Sequence, residues 1–373
     1  MALVLNEEQM MLKDSARDFL LGRAPVSHLR ELRDSGNTEG FSRELWSEMA
    51  EMGWPAILVP EQHGGLGYGY TGIGIVLEES GKTLTPSPLL CTAMVGTSAL
   101  VKAGTDAQCE AILPGVASGE RLLALACEES SQHAPQKVAT EALEADGGFR
   151  ISGRKIAVAD GHIADTFIVS AKTGNGISLF LVPADAKGVS VESYRTFDTH
   201  YAANVSFDQV EVSKADVLGP LNGGLEILDY VLDVGRIGAS AELLGLAQEV
   251  FGRTIEYLKE RKQFGVPIGS FQALQHRAAN LFGEIEMCKS LVIKALHTLD
   301  ENPEGDAELA SLTKAKVGET AHLAAAEAIQ MHGGIGMTDE FDIGFFMKRC
   351  QILESLYGDH NFHLDRFARQ RGY

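Results

Sequence analysis

The side chains best suited to chemistry in this chain lie in the segment 261–272, which reads RKQFGVPIGSFQ. Arg261 offers a planar fork of donors that matches a diphosphate, and the amides of Gln263 and Gln272 can bond a base or a ribose. Phe264 adds an aromatic face for stacking or packing. The Gly/Pro turn interrupts a helical pattern, so the segment suits a flat, anionic cofactor. The alternative is a solvated helix end, where the helix dipole favours basic residues.

A second segment, residues 330–340, reads QMHGGIGMTDE. It contains three glycines within four positions, and glycine lets the backbone approach a ligand closely. Gln330 adds another amide at its start. The alternative is a glycine-rich link between two helices. By itself the pattern leaves both interpretations open.

Together, in this order and at this spacing, the two segments resemble the flavin-binding signatures of the acyl-CoA dehydrogenase family. The resemblance covers nearly the whole chain, including an early turn at residues 60–67, PEQHGGLG, and the pattern Asp233-x-x-Arg236 near the head of a long helix. It implies FAD as the cofactor and α,β-dehydrogenation of an acyl-CoA thioester as the reaction. The family's usual electron acceptor is electron-transfer flavoprotein.

In the resembled family the adenine end of the flavin is held by the helical bundle of a neighbouring subunit. The resemblance therefore implies a homotetramer, or a heterotetramer with a related chain, whose cofactor contacts cross an interface. It assigns diphosphate and adenine contacts to Arg261, Gln263, Phe264, Gln272, Gln330, Gly333 and Gly334. It also assigns substrate binding to Asp233 and Arg236.

The reaction requires a carboxylate that removes the α proton, and here both of the family's usual Glu positions are glycine, at Gly235 and Gly358. Asp359 lies one residue late and is the candidate base, in a slot similar to that of the nitroalkane oxidase branch. The alternative for Asp359 is a turn residue after glycine. Asp233 and Glu242 are weaker candidates, because they can serve as ion-pair partners on their own helix.

The central part of the chain also departs from the family pattern. Residues 127–133 read CEESSQH in place of Thr-Glu-Pro-Gly-x-Gly-Ser-Asp, and residues 157–159 read AVA where an aromatic and a Thr are usual. An acidic pair near the flavin would be a poor replacement, because carboxylates repel the diphosphate and the reduced, anionic flavin. The chain thus keeps the residues that would bind a neighbour's cofactor and has altered the residues that would bind its own.

Three functional hypotheses follow. The chain is an acyl-CoA dehydrogenase in which side chains have drifted, or it is the degenerate half of a heteromeric acyl-CoA dehydrogenase. Several heteromers of that kind act on steroid CoA esters. The third hypothesis is another flavin oxidase activity on the same fold, such as nitroalkane or acyl-CoA oxidation.

The elements that must position these residues form three predicted domains of an α+β fold. Helical periodicity predicts an N-terminal all-α domain over residues 1–120, and short alternating runs predict an antiparallel β-barrel or sandwich over residues 121–219. The six runs that predict strands are residues 122–126, 149–152, 166–170, 177–182, 189–193 and 205–212. Residues 220–373 are predicted to form a C-terminal four-helix bundle. Its helices are predicted over residues 225–260, 271–300, 306–331 and 341–356.

Composition restricts the partners. The formal net charge is −19, which argues against nucleic acid or an anionic membrane surface. A polyanionic acyl-CoA would need a local group of basic residues, and the candidates are Arg236, Arg253, Arg261 and Lys262.

The 5 cysteines show no CxxC spacing and the histidines show no metal-ligand spacing, so reduced thiols and no metal site are expected. Because we find neither an export signal nor a long apolar run in the sequence, the expected location of the protein is the cytoplasm.

Overall fold

The structure, a computed structural model, describes residues 3–373. Its amino-terminal part is helical, as predicted. A capping box begins the first helix, because Gln9 N donates to Asn6 Oδ1 at 2.8 Å and Asn6 N donates to Gln9 Oε1 at 3.0 Å. The helices here are α1 (Glu7–Arg23), α2 (Val26–Asp34), α3 (Arg43–Glu51), α4 (Tyr70–Thr83), α5 (Thr97–Ala103) and α6 (Asp106–Ala117).

Residues Leu89–Gly96 form a π-helix that runs directly into α5, and all its residues are buried. Thr92 Oγ1 donates to Leu123 O at 3.1 Å and accepts from Leu123 N at 2.9 Å. One hydroxyl therefore attaches this irregular turn to the first strand. π-Helices are rare and are found frequently at functional sites.

The central part is one eight-stranded sheet with the strand order β6-β7-β3-β2-β4-β5-β8, and β1 pairs with β4. The pairings are antiparallel except for β1–β4 and a single-residue β2–β4 pairing. The strands are β1 (Leu123–Ala126), β2 (Glu141–Ala145), β3 (Gly148–Ala159), β4 (Thr166–Thr173), β5 (Gly176–Pro183), β6 (Val189–Arg195), β7 (Tyr201–Ser213) and β8 (Val217–Leu218).

The sheet encloses one apolar core, to which β1 through β5 and β7 contribute. Phe149 meets Phe180 edge-on with ring centroids 5.3 Å apart, and Phe167 meets Phe207 at 6.4 Å. The predicted β domain is confirmed. β2 and β8 were missed, because β2 reads EALEA without β-branched residues and β8 is two residues long.

The carboxyl-terminal part is a helical bundle of α7 (Gly224–Glu260), α8 (Gln272–Glu301), α9 (Ala307–His332), α10 (Ile343–Ser355) and α11 (His360–Gln370). Helix α9 is the central member and packs against α8, α10 and α11. The four predicted helices are present with ends within about two residues. A fifth helix, α11, follows them, because the chain turns at Tyr357 and Gly358, which both have positive φ.

By contacts, the chain divides into two compact units. The first combines residues up to Glu31, residues 74–85 and residues 236–373, and the second combines residues 32–73 and 86–235. The division passes through α7, so it does not follow the linear domain order, and the domain limits at residues 120 and 219 stay a prediction. Between Leu3 and Tyr373 no helix is long and apolar enough to cross a membrane.

Candidate active site at the end of the helical bundle

The Arg261 segment forms a short hairpin after α7. β9 (Lys262–Gln263) and β10 (Val266–Pro267) pair antiparallel, and the turn residues Phe264 and Gly265 have φ of 53° and 82°. Two successive positive φ values are the mark of a tight hairpin turn. Phe264 sits at the tip and is 92% exposed, with its ring edge-on to Phe271 at 6.3 Å. The hairpin therefore presents an aromatic ring outward.

The glycine-rich segment ends α9 and continues as a 3-10 helix, Gly333–Met337. Gly333 has φ of 65°, and within residues 3–373 no atom beyond the adjoining residues lies within 4 Å of where a Cβ would stand on Gly333 or Gly334. Both glycines are exposed, as is Gln330 one turn earlier. The open space lets a ligand approach the backbone.

Tyr257 joins the two segments. Its hydroxyl donates to His332 O at 3.3 Å, its ring stacks on the His332 imidazole at 4.3 Å, and its own carbonyl accepts from Arg261 N at 2.9 Å. The structure therefore brings the Arg261 and Gly333 segments to one end of the first unit. Sequence reasoning missed both Tyr257 and His332, although His332 stands inside the glycine-rich motif.

His332 is a buried residue of this end, only 3% exposed. Its Nδ1 donates to Ala328 O at 2.7 Å, and its ring lies 5.0 Å from that of Phe341. Burial lowers the pKa of His332, so the imidazole is neutral at neutral pH. A neutral ring that stacks on Tyr257 and contacts Phe341 at a tilt fixes the point where α9 ends and the glycine turn begins.

The hydrogen-bond donors at this end of the helical bundle are available to a ligand. Arg261, Gln272 and Gln330 are exposed, and over residues 3–373 their side chains make no hydrogen bond or ion pair. A guanidinium, exposed amides and an outward aromatic beside open glycine backbone fit the adenine and diphosphate end of a dinucleotide. The predicted cofactor residues thus form one surface.

Asp342 anchors the far side of the glycine turn. Its Oδ1 accepts from Arg30 Nε and Nη2 at 3.0 and 2.9 Å, and its Oδ2 accepts from Arg253 Nη1 at 2.8 Å. Arg30 Nη1 also donates to Asp339 O at 2.6 Å. Arg253 is therefore ion-paired although its side chain is partly exposed, and its role as a basic residue for a polyanion stays a prediction.

The position after Tyr357, where the resembled family carries a Glu, has a backbone that excludes such a side chain. Tyr357 and Gly358 have φ of 62° and 108°. Arg236 Nε donates to Tyr357 O at 2.9 Å, and Lys314 Nζ donates to Gly358 O at 3.1 Å and Glu354 O at 2.7 Å. A residue with a Cβ would be strained at Gly358.

Arg236 and Lys314 are buried cations, 1% and 2% exposed. Burial lowers the pKa of Lys314 to about 7, opposed by the Glu354 carboxylate and reinforced by Arg236. Both side chains hold backbone carbonyls of the turn, so they position it. The substrate-binding roles of Arg236 and of Asp233, which is also buried, stay predictions.

The carboxylates proposed as bases have structural contacts. Asp359 is exposed and caps α11, where its Oδ1 accepts from Phe362 N at 2.8 Å. Glu242 Oε1 accepts from Arg349 Nε at 2.7 Å. The turn role weighed for Asp359 thus takes the form of a helix cap, and its role as a base stays a prediction.

The acidic pair at Glu128 and Glu129 is compensated within its own loop. Glu129 accepts from Lys155 Nζ at 2.7 Å and from Ala139 N and Thr140 N at 2.6 and 3.0 Å, and Glu128 pairs with His133. Burial alone would raise the pKa of Glu129, but the hydrogen bond and charge of Lys155 hold it below its usual value. Both carboxylates thus have partners within the loop, and the expected repulsion of a flavin stays a prediction.

Comparison with known proteins identifies the family of the chain. Models of the acyl-CoA dehydrogenase N-terminal, middle and C-terminal domains match residues 6–120, 124–210 and 222–371. The probable acyl-CoA dehydrogenase YngJ of Bacillus subtilis is 31% identical over 98% of each chain. The chain belongs to the acyl-CoA dehydrogenase family. This acyl-CoA dehydrogenase is an FAD-dependent oxidoreductase that acts on acyl-CoA.

Two solved structures show how far the likeness extends. A variant of the Tcur3481-Tcur3483 steroid ACAD has 32% identity and a TM-score of 0.89, with 97% of both chains covered. The ChsE4-ChsE5 complex from Mycobacterium tuberculosis has 25% identity and a TM-score of 0.89, covering 100% of this chain and 99% of that chain. Both names join two different components.

Proposed function

We propose that this acyl-CoA dehydrogenase works as one subunit of a tetramer that removes the α proton and β hydride of an acyl-CoA thioester and passes electrons to an electron-transfer flavoprotein. The observation that carries this proposal is the outward surface formed by Arg261, Phe264 and the Gly333 turn. Bound FAD supplies the hydride acceptor. Arg261, Phe264, Gly333 and Gly334 are exposed, which suits a cofactor held between subunits.

In this proposal the chain's own residues bind and orient. Arg261 binds the diphosphate with charge-assisted hydrogen bonds, and the exposed amides of Gln263, Gln272 and Gln330 bond the adenosine end. The Gly333 turn lets backbone approach the same group. Tyr257 and His332 hold the two segments together, so the binding surface is preformed.

We propose further that the α proton is taken by a carboxylate of a related partner chain. Gly358 cannot be replaced by Glu without strain, Gly235 carries no side chain, and Asp359 is occupied as a helix cap. The paired names of the two similar structures support a hetero-oligomer, and the steroid named in one of them makes a steroid CoA ester the substrate to test first.

Purification with and without a related chain tests this assignment. The chain alone is expected to bind little flavin and to show no flavin reduction by acyl-CoA, whereas the co-purified pair is yellow and is reduced. Absorbance of bound flavin and rapid-mixing reduction measure both. A yellow homo-oligomer that is reduced by acyl-CoA at full rate would overturn the requirement for a partner.

The second candidate is a homotetramer in which Asp359 is the base, since it lies one residue from the expected slot. Asp359→Asn keeps the helix cap, because Asn caps as well as Asp. If Asp359 is the base, flavin reduction should slow by roughly 10²-fold or more. Asp306→Asn is the matched control, because Asp306 caps α9 through Leu309 N at 2.9 Å. Equal rates in both variants would remove Asp359 from the reaction.

We also place the enzyme in the cytoplasm. All 5 cysteines are buried thiols without disulfides among them, which suits a reducing compartment. Cell fractionation with an antibody against the chain tests this placement.

A further inference from the structure

A cleft of about 250 Å³ opens between α1, α4 and α7, and all the residues that line it belong to the first compact unit. Its walls include Arg17 and Leu21 of α1, Glu79 and Lys82 of α4, and Gln248 of α7. None of the lining residues is assigned to FAD or to acyl-CoA above. The volume is close to the lower end of the range for ligand pockets, which suits a small molecule.

Two of the lining residues carry a buried polar atom that has no hydrogen-bond partner within residues 3–373. Glu79 is 1% exposed, and its Oε2 has no partner although its Oε1 accepts from Lys82 Nζ at 2.7 Å. Gln248 is half-buried, and its Nε2 is the second such atom. A buried polar group without a partner costs free energy, so the cleft has one acceptor and one donor that a ligand can satisfy.

The other charged groups of the walls are paired with their own neighbours. Arg17 Nη1 lies 2.9 Å from Asp14 Oδ1, and Arg17 Nε donates to Asp18 Oδ1 at 3.3 Å. Glu249, the next residue after the glutamine wall, accepts through its Oε1 from Arg253 Nε at 2.7 Å. An ion that entered the cleft would lose its hydration without gaining a free counter-charge, so the site favours an uncharged ligand.

The cleft is preformed because α4 and α7 pack backbone to backbone beside it. A Cβ on Gly81 would lie 2.1 Å from Glu242 O, and a Cβ on Gly245 would lie 1.7 Å from Glu78 O. Both positions therefore require glycine, and the close contact holds the two helices that carry the unpartnered atoms at a set distance. A rigid site loses little conformational freedom when a ligand binds.

We propose that this cleft binds a small, uncharged molecule that carries a primary amide. The amide N–H donates to Glu79 Oε2, and the amide oxygen accepts from Gln248 Nε2. An amide carries its donor and its acceptor on two different atoms, so one group satisfies both walls. A short alkyl part contacts Leu21, which is 56% exposed. The site does not depend on the reaction proposed above.

Propionamide and propionate, which have nearly the same shape, test the site on the intact oligomer, purified with its partner chain where one is required. Ligand-observed NMR titration gives the dissociation constants in the absence of acyl-CoA. The wild type should bind propionamide at least roughly 10-fold more tightly than propionate, because the Glu79 carboxylate repels a second carboxylate. Gln248→Met should weaken propionamide binding roughly 3- to 10-fold. Gln351→Met, at an exposed position of α10 outside the cleft, is the matched control and should leave it unchanged.

Glu79→Gln should invert the ligand preference. The variant offers a side-chain amide donor at each wall and leaves Lys82 without its carboxylate, so propionate should bind more tightly than propionamide. Glu78→Gln is the matched control, because Glu78 is 6% exposed and accepts from Lys13 Nζ at 2.7 Å but does not line the cleft. It should keep the wild-type preference.

The wild type and Gln248→Met decide the proposal even if Glu79→Gln does not fold. Equal affinity of the wild type for propionamide and propionate, or no propionamide binding at all, would overturn it. Propionamide binding that Gln248→Met leaves unchanged would place the ligand elsewhere and overturn the cleft assignment. Propan-1-ol bound as tightly as propionamide would overturn the amide as the ligand class.

Discussion

Arg261 lies one residue beyond the end of α7, and its guanidinium has no partner over residues 3–373. A charged side chain left free on a fixed backbone contributes little to folding and is available to a ligand. Arg261→Ala should therefore weaken FAD binding about ten-fold or more, as expected for a charge-assisted contact, with little change in melting temperature. Flavin content by absorbance and thermal unfolding measure the two effects.

Lys259→Ala is the control for that variant, since Lys259 lies on the same helix end and pairs with Glu256 at 2.5 Å. It should change neither quantity measurably, because exposed pairs contribute little. A large loss of stability in Arg261→Ala with normal flavin content would make Arg261 a structural residue.

Lys314 should make the free energy of unfolding depend on pH. Its folded pKa, about 7, is below its ordinary value of 10.5, so between these values the unfolded chain binds the extra proton. The free energy of unfolding contributed by Lys314 therefore rises as pH rises from about 7 toward 10.5. Urea unfolding between about pH 7 and pH 9 should show this rise in the wild type and not in Lys314→Met.

Lys316→Met is the matched control, because Lys316 is two residues away and the Glu284 carboxylate raises its pKa. Its ion pair keeps full strength over the same pH range, so the wild-type slope should persist. A slope equal to that of the wild type in Lys314→Met would show that Lys314 is not the titrating group.

At the scale of elements, the β9–β10 hairpin has a strained residue at its tip. Phe264 has positive φ and is 92% exposed, with its ring edge-on to that of Phe271. Such a backbone position favours Asn or Gly, since a left-handed Phe costs about 1–2 kcal/mol. We interpret the strain and the exposed ring as serving a contact with another subunit.

Phe264→Asn tests that interpretation. Relief of backbone strain should leave the melting temperature unchanged or slightly higher, while flavin retention and oligomer stability fall. Gel filtration of the flavin-loaded protein at decreasing concentration measures the second effect. Lower thermal stability with unchanged assembly would show that Phe264 serves its own hairpin instead.

At the scale of the whole molecule, the residues that fit FAD are all on the exterior of one unit. A chain that presents cofactor donors outward and has glycine at both expected base positions suits the proposed assembly with a neighbouring subunit. We expect at least a dimer, and a tetramer when fully assembled. Sedimentation equilibrium measures this, and a stable, flavin-loaded monomer would contradict both the assembly and the shared site.

Much of the fold was accessible from patterns. Helical periodicity predicted α7 to α10, and alternation predicted six strands of the sheet, because both report which face of an element is buried. The strand β2 escaped because EALEA has no strand propensity of its own, although it forms a tight hairpin with β3. Pairing with β3 overrode local preference there.

The sequence by itself determined the family and the residue types of the cofactor segments, because glycine, arginine and amide positions are local features of a motif. Only the tertiary structure decided how charges are used. It paired Glu129 with Lys155, engaged Arg253 with Asp342, and made Asp359 a helix cap. The physical reason is that burial and partners are properties of neighbours distant in the chain, and these set whether a charge is free to act.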